Sequence, residues 1–173
     1  GEGPGMSMNA FICRFDTPAA IVAWYAIDDR VMGGVSASGM SLDPAGHAVF
    51  SGTVSLANNG GFASVRSPVT APDHTAGSAF LLGVRGDGKR YRFAVRTDAE
   101  FDGISYQAAV QPTAGEWTTL RLAAADFVPT WRGRVVDHLP PLDPARTRQL
   151  GLLIADRQSG PFKLDLRTIE LVR

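Results

Sequence analysis

Apolar and polar residues alternate with a period of two over most of the chain. Ala48, Phe50, Gly52, Val54 and Leu56 alternate with Val49, Ser51, Thr53 and Ser55, the pattern of a strand with one buried face. The stretch 62–66 reads as the next strand. Between the two, Asn58-Asn59-Gly60-Gly61 supplies the positive φ angles that a type I′ hairpin turn requires. Residues 79–85 are apolar on both faces, which predicts a buried central strand. Gly86-Asp87-Gly88 then turns into a segment in which Tyr91, Phe93 and Val95 point one way and Arg90, Arg92 and Arg96 the other. Asp102-Gly103 turns into a strand carrying Ile104, Tyr106, Ala108 and Val110. Residues 117–122 and 150–155 give two more. Ser159-Gly160-Pro161 opens the closing strand, where Phe162, Leu164 and Leu166 share one parity and Ile169 and Leu171 the other. A bulge near Arg167 and Thr168 absorbs that slip.

Helix signals are sparse. Thr17-Pro18 before Ala19 is an N-cap with a proline at the first helical position, enough for one short helix up to Trp24. Residues 129–149 carry Pro129, Pro140, Pro141 and Pro144 and read as a long connection. About nine or ten strands separated by turn signals predict an all-β fold, an antiparallel two-sheet β-sandwich with the two termini adjacent in one sheet. Residues 1–7 read as tag or linker, and 8–173 as a single domain.

Composition narrows the function classes. Seventeen basic residues balance seventeen acidic ones, which argues against a nucleic-acid binder. The single cysteine, Cys13, excludes an internal disulfide and a multi-cysteine metal site. It lies beside Ile12 on a predicted strand, as a small core residue would. No apolar run reaches the ~20 residues of a membrane span, and no signal peptide is read at the start. The expectation is a cytoplasmic protein without direct membrane insertion.

Motifs for chemistry fail on inspection. Gly83-Val84-Arg85-Gly86-Asp87-Gly88-Lys89-Arg90 nearly matches a phosphate loop. Arg90, however, stands where a hydroxyl must bind magnesium, and a strand follows where a helix should begin. A hairpin turn accounts for these residues. Asp98-Ala99-Glu100-Phe101-Asp102-Gly103 opens like a calcium loop, but its twelfth position is Ala109 where a bidentate glutamate is required. His47, His74 and His138 lie in turn-like or polar stretches without a metal-ligand partner at short spacing, and no Gly-x-Ser-x-Gly elbow is present. The expectation is no enzyme, no cofactor and no metal.

Several segments in series carry a resemblance. They are Trp24 followed by Asp28-Asp29-Arg30-Val31-Met32-Gly33-Gly34-Val35-Ser36, then Phe50-Ser51-Gly52 leading to Asn58-Asn59-Gly60-Gly61-Phe62-Ala63-Ser64-Val65-Arg66. Arg85-Gly86-Asp87-Gly88-Lys89-Arg90-Tyr91 comes next, followed by Trp117 with Asp126-Phe127 and by Trp131-Arg132-Gly133-Arg134. The last runs from Ile154-Ala155-Asp156-Arg157-Gln158 to Gly160-Pro161-Phe162. In this order the chain resembles the complex I intermediate-associated protein 30 family across residues 11–172. The resemblance implies a jelly-roll, galactose-binding-like fold and a non-catalytic role, since mitochondrial members assist assembly of respiratory complex I by binding its intermediates. With no targeting presequence, the chain resembles a bacterial or stand-alone relative. Asp28, Arg30, Met32, Asn58, Asn59 and Arg132 stand in these segments as candidate binding residues. Trp24, Trp117 and Phe127 read as core.

Strand parity adds a second candidate region. Arg92, Gln107 and Arg121 lie opposite the apolar parity of their strands, with Arg66 on a nearby strand. If these strands share a sheet, one concave face is polar and rich in arginine. Such a face is either simply a solvated sheet surface or a binding face, for a protein partner or, in a lectin-like module, for a sugar or anionic group. Exposed aromatic rings on that face favour the sugar, and buried tryptophans beside an arginine-rich face favour the protein.

The loop 28–36 yields a direct test. As an interaction site, Arg30→Ala with Met32→Ala removes partner binding at little cost in stability, since hot-spot truncation often costs ~2 kcal/mol or more of binding. If Met32 is instead a core residue, Met32→Ala alone costs ~2–5 kcal/mol in chemical denaturation.

Overall fold

The computed structural model describes residues 9–28, 37–57, 61–70 and 77–173. In chain order the elements are β1 (Asn9–Arg14), α1 (Pro18–Val22), β2 (Tyr25–Asp28), β3 (Ala37–Asp43), β4 (His47–Val54), β5 (Ala63–Arg66) and β6 (Ala79–Arg85). Then follow β7 (Tyr91–Arg96), β8 (Ser105–Val110), β9 (Trp117–Ala123), β10 (Val128–Trp131), β11 (Arg134–Val135), β12 (Gln149–Ile154) and β13 (Gly160–Val172). They form two antiparallel sheets. The first runs β3-β4-β13-β6-β9, with β1 also on β13, and the second runs β11-β10-β8-β7-β12-β5-β2.

The period-two pattern explains the layering. Phe50, Val54, Phe80, Leu82, Val84, Leu164 and Leu166 face inward from the first sheet, and Val65, Tyr91, Phe93, Val95, Leu150, Leu152 and Ile154 from the second. Edge-to-face aromatic pairs knit the layers: Phe80 to Phe93 at 5.2 Å, Phe50 to Tyr91 at 6.2 Å and Phe162 to Tyr91 at 6.2 Å between centroids. The phase slip in the closing strand is real. The β13–β6 register shifts between Leu166 and Thr168, so Ile169 and Leu171 return to the core with Leu164 and Leu166. The same end of β13 holds β1, Cys13 opposite Ile169, which places the two ends of the chain in one sheet. α1 is capped as expected: Thr17 Oγ1 accepts from the Ala20 amide, Pro18 begins the helix and Ile21 is buried.

Pairing differs from expectation at two turns. β4 lies in the first sheet and β5 in the second, so the two strands are not the hairpin pair expected around Asn58, Asn59 and Gly60. Those three residues lie outside the described residues; Gly61, next in the chain, has φ +130°. Gly86-Asp87-Gly88 carries the chain from β6 to β7 across the sandwich. A strand pattern fixes which residues face inward but leaves its hydrogen-bonding partner open. The stretch read as a long connection contains β10 and β11, and the described residues hold thirteen strands.

The outer face of the first sheet corrects two residue expectations. His47 is not in a turn. It starts β4, is buried, and its Nε2 lies 3.1 Å from Asp165 Oδ1, while Arg85 Nε donates to Asp165 Oδ2 at 2.8 Å. Trp117 is not core. Its ring meets His47 edge-on at 5.0 Å and carries the guanidiniums of Arg85 at 4.9 Å and Arg167 at 4.0 Å. Trp24 and Phe127 are buried as expected.

Phe50→Ala should lower stability by about 3–5 kcal/mol, since the ring joins the sheets and its cavity cannot close. Urea denaturation at constant m-value checks it.

Candidate functional site

The outer face of the second sheet carries a groove of about 810 Å³. Its floor follows from register. Gln107 pairs with Ala94, Ala94 with Gly151, Gly151 with Arg66 and Arg66 with Tyr25, a single row across five strands. Ala94 and Gly151 leave the middle low. A Cβ on Gly151 would stand 3.2 Å from the Val65 carbonyl oxygen, 3.6 Å from Ala94 Cβ and 3.9 Å from Arg66 Cγ, so a side chain here would crowd the neighbouring strand as well as the groove.

Arginines form its walls. β7 contributes Arg92 and Arg96, because Tyr91, Phe93 and Val95 take the inward positions. β5 contributes Arg66. Arg132 comes from the turn between β10 and β11. There Arg132 and Gly133, at φ 50° and 78°, are the two central residues of a hairpin closed by the Trp131–Arg134 pair, as a type I′ turn requires. Arg66, Arg92 and Gln107 of the expected polar face thus come to one groove, joined there by Arg132 from the Trp131–Arg134 segment. Arg121 is not part of it: β9 is in the first sheet, where Arg121 pairs with Leu81 and is exposed. Equal parity on two strands does not put them in one sheet. Asp28 ends β2, its backbone opposite Ala63. Arg30, Met32, Asn58 and Asn59 lie outside the described residues.

The two ends of the groove are internally neutralised. Arg92 Nη2 donates to Asp156 Oδ1 at 2.7 Å, and its Nη1 reaches Gln107 Oε1 at 3.4 Å. Arg132 donates through Nε at 3.0 Å and Nη2 at 2.6 Å to Asp102 Oδ2. That pairing holds the Asp102 carboxyl below its ordinary range. The middle differs. Arg66 Nη1 donates to the Phe101 carbonyl at 2.9 Å and Arg96 Nη1 to the Gly103 carbonyl at 2.8 Å. Burial, reinforced by the charge of Arg66, pushes Arg96 down to about 10.

The aromatic rings at the margin are engaged by cations. Arg66 lies 4.5 Å over the exposed Phe101 ring, and Arg132 lies 4.6 Å over the exposed Trp131 ring, whose Nε1 donates to the Asp102 carbonyl at 2.9 Å. Residues 101–103 are therefore pinned to the groove by Arg66, Arg96, Trp131 and Arg132. Asp98 makes a local turn, accepting from the Glu100 amide at 2.9 Å.

Sequence reasoning missed Arg96, Phe101, Asp102 and Asp156 as site residues. Arg96 had a usable signal, sharing the outward parity of Arg92. Asp102 and Asp156 had none, because turn residues carry no parity. A smaller cleft of about 420 Å³ lies by Cys13, Arg14 and Arg148. Burial pushes the Cys13 thiol up to about 11, the opposite of what a nucleophile needs.

The sequence profile of the complex I intermediate-associated protein 30 family matches residues 13–166. The chain belongs to this family. It is 28% identical to an uncharacterised protein of Schizosaccharomyces pombe over 85% of this chain and 76% of that one. It is 25% identical to the mitochondrial complex I intermediate-associated protein 30 of Drosophila melanogaster, over 91% of this chain. The chain spans 60% of the fly protein's length and 51% of that of a Caenorhabditis elegans relative with a similar name. Among solved structures, the fold matches a family 11 carbohydrate-binding module of Clostridium thermocellum in complex with a β-1,3-1,4-mixed-linked tetrasaccharide. The TM-score is 0.65 with 16% identity, covering 93% of this chain and 95% of the module. A family 29 carbohydrate-binding module matches at a TM-score of 0.53 and 10% identity, over 93% of this chain and 83% of that one. The jelly-roll sandwich is thereby shown. Among the described residues, no helix is long and apolar enough to cross a membrane.

Because Asp102 titrates below its unfolded value, the stabilisation from its pair is complete above ~3.9 and fades as pH falls through the lower folded value. An NMR titration of the Asp102 carboxyl carbon should find its midpoint below ~3.9 and Arg132→Ala should raise it; an unmoved midpoint would remove Arg132 as the cause.

Proposed function

We propose that this chain is a non-catalytic protein-binding module of respiratory complex I assembly, docking complex I subunits or intermediates in the groove of the second sheet. Family membership supports the role. The observation that carries the docking surface is the arginine-walled groove whose marginal rings, Phe101 and Trp131, are already covered on one face by Arg66 and Arg132. A sugar-binding platform offers aromatic faces for stacking, whereas guanidinium forks over rings suit acidic and polar groups of a protein.

A carbohydrate is the second reading. It is favoured by the remaining exposure of those rings, 57% for Phe101 and 43% for Trp131, and by the likeness in fold to carbohydrate-binding modules.

Blue-native electrophoresis of the chain with complex I assembly intermediates from its host tests the reading. The wild-type chain and Arg121→Glu should comigrate with an intermediate, and Arg92→Glu with Arg132→Glu should not. Undiminished comigration of the double variant would reject the groove. Tight binding of the mixed-linked tetrasaccharide by a chain that never comigrates would move the assignment to carbohydrate.

A further inference from the structure

The four groove arginines differ in what they lack. Arg92 and Arg132 each hold a carboxylate of this chain. Arg66 and Arg96, between them, have no carboxylate within 4.0 Å among the described residues and donate to main-chain carbonyls. Both side chains are partly buried, and each guanidinium has further N–H groups beyond the ones so used. Burial depresses the affinity of both for protons; at Arg96 repulsion from Arg66 adds to it and brings the value to about 10, whereas the Tyr25 hydroxyl opposes it at Arg66. An arriving anion relieves that repulsion, and a partly desolvated guanidinium binds a carboxylate more strongly than one in bulk water does.

The shape of the groove limits what arrives. Its volume of about 810 Å³ suits a ligand well beyond a lone inorganic anion. The low floor at Ala94 and Gly151 admits a backbone, and the exposed rings of Phe101 and Trp131 border it. The groove's own tenants, Asp102 and Asp156, show that carboxylates suit its walls.

Resting on the groove as the docking surface, we propose that Arg66 and Arg96 form the subsite for the carboxylates of an extended acidic segment in the partner protein. The segment lies over Ala94 and Gly151 and places aspartate or glutamate side chains between the two guanidiniums. The chain as a whole is neutral, so this attraction is local and short in range.

Fluorescence anisotropy with a fluorescein-labelled peptide of alternating glutamate and glycine tests this, with the glutamine-glycine peptide and inorganic phosphate as the other arms. The glutamate peptide should bind the full chain, and raising salt from about 0.05 to about 0.2 M should weaken it. The glutamine peptide should bind roughly tenfold or more weakly, and so should the glutamate peptide to Arg66→Gln with Arg96→Gln, whereas Arg121→Gln should match wild type. Equal binding of the two peptides to the wild-type chain overturns the proposal whether or not the double variant folds. Undiminished binding by a folded double variant overturns it too, as does phosphate competing as well as the peptide, which would make this a small-anion subsite. The comigration assay separates the two levels. If the double variant loses comigration while the wild-type chain ignores the glutamate peptide, the acidic segment is wrong and the docking surface stands. If the double variant loses the peptide yet comigrates normally, this inference falls, and the docking surface stands or falls by Arg92→Glu with Arg132→Glu.

Discussion

The extra residue between Leu166 and Thr168 in β13 is the constraint on which the sandwich depends. β13 pairs with β4 through its first half and with β6 and β1 through its second. A strict alternation across thirteen residues would bury either Leu164 and Leu166 or Ile169 and Leu171, never all four. The shift lets one strand feed the core along its whole length and lets the N-terminal strand join the sheet. It also sets the outer face. Asp165, between two inward leucines, lies on that face, where His47 and Arg85 meet its charge. A buried carboxylate without such partners would be strongly destabilising, so the strand that closes the core also dictates a cationic cluster around Trp117.

The second sheet has a different problem. Its inner face packs on the first sheet, but among the described residues no layer lies above its outer face. Four of its outward side chains are solved as arginines or glutamine (Arg66, Arg92, Arg96 and Gln107), and the remaining area is kept low by Ala94 and Gly151. A sheet face that only needed to be wet could use short serines and threonines. Long guanidinium side chains cost more rotamer entropy to order, and here they are ordered by carbonyls of residues 101 and 103 and by Asp156. The loop after β7 is thus part of the groove's wall, fixed by the same arginines that it helps to orient.

The alternation of Tyr91, Phe93 and Val95 with Arg92 and Arg96 made the inward and outward faces of β7 legible in the sequence, and the parity break after Leu166 made the bulge legible. Arg66, Arg92 and Gln107 were placed together by the same reasoning. It failed for Arg121, because β9 shares the parity but not the sheet. It failed for the pairing of β4 with β5 and of β6 with β7 for a related reason: a glycine-rich segment between two strands does not say whether they share a sheet. His47 and Trp117 were misread because a buried ion pair depends on Asp165 and Arg85, far away in sequence, and no local pattern announces it. The loop at Arg30 and Met32 lies outside the described residues, and its binding role stays an expectation.

The same scaffold carries carbohydrate-binding modules, so the fold alone leaves the ligand open. What differs is how the surface chemistry is committed. An aromatic ring that must stack on a sugar needs a free, flat face. In this chain Arg66 and Arg132 already occupy one face of Phe101 and Trp131, and the indole N–H of Trp131 is committed to the Asp102 carbonyl. A sugar stacking on those same faces would break the cation–π contacts and strand guanidiniums beside apolar surface, which leaves it only the opposite face of each ring. The anionic protein segment proposed for the groove would need no such release, since the arginines would meet it in the positions they already hold. Binding that leaves the site's own contacts in place carries a smaller reorganisation cost, and on that ground we propose a polypeptide ahead of a glycan as the groove's ligand.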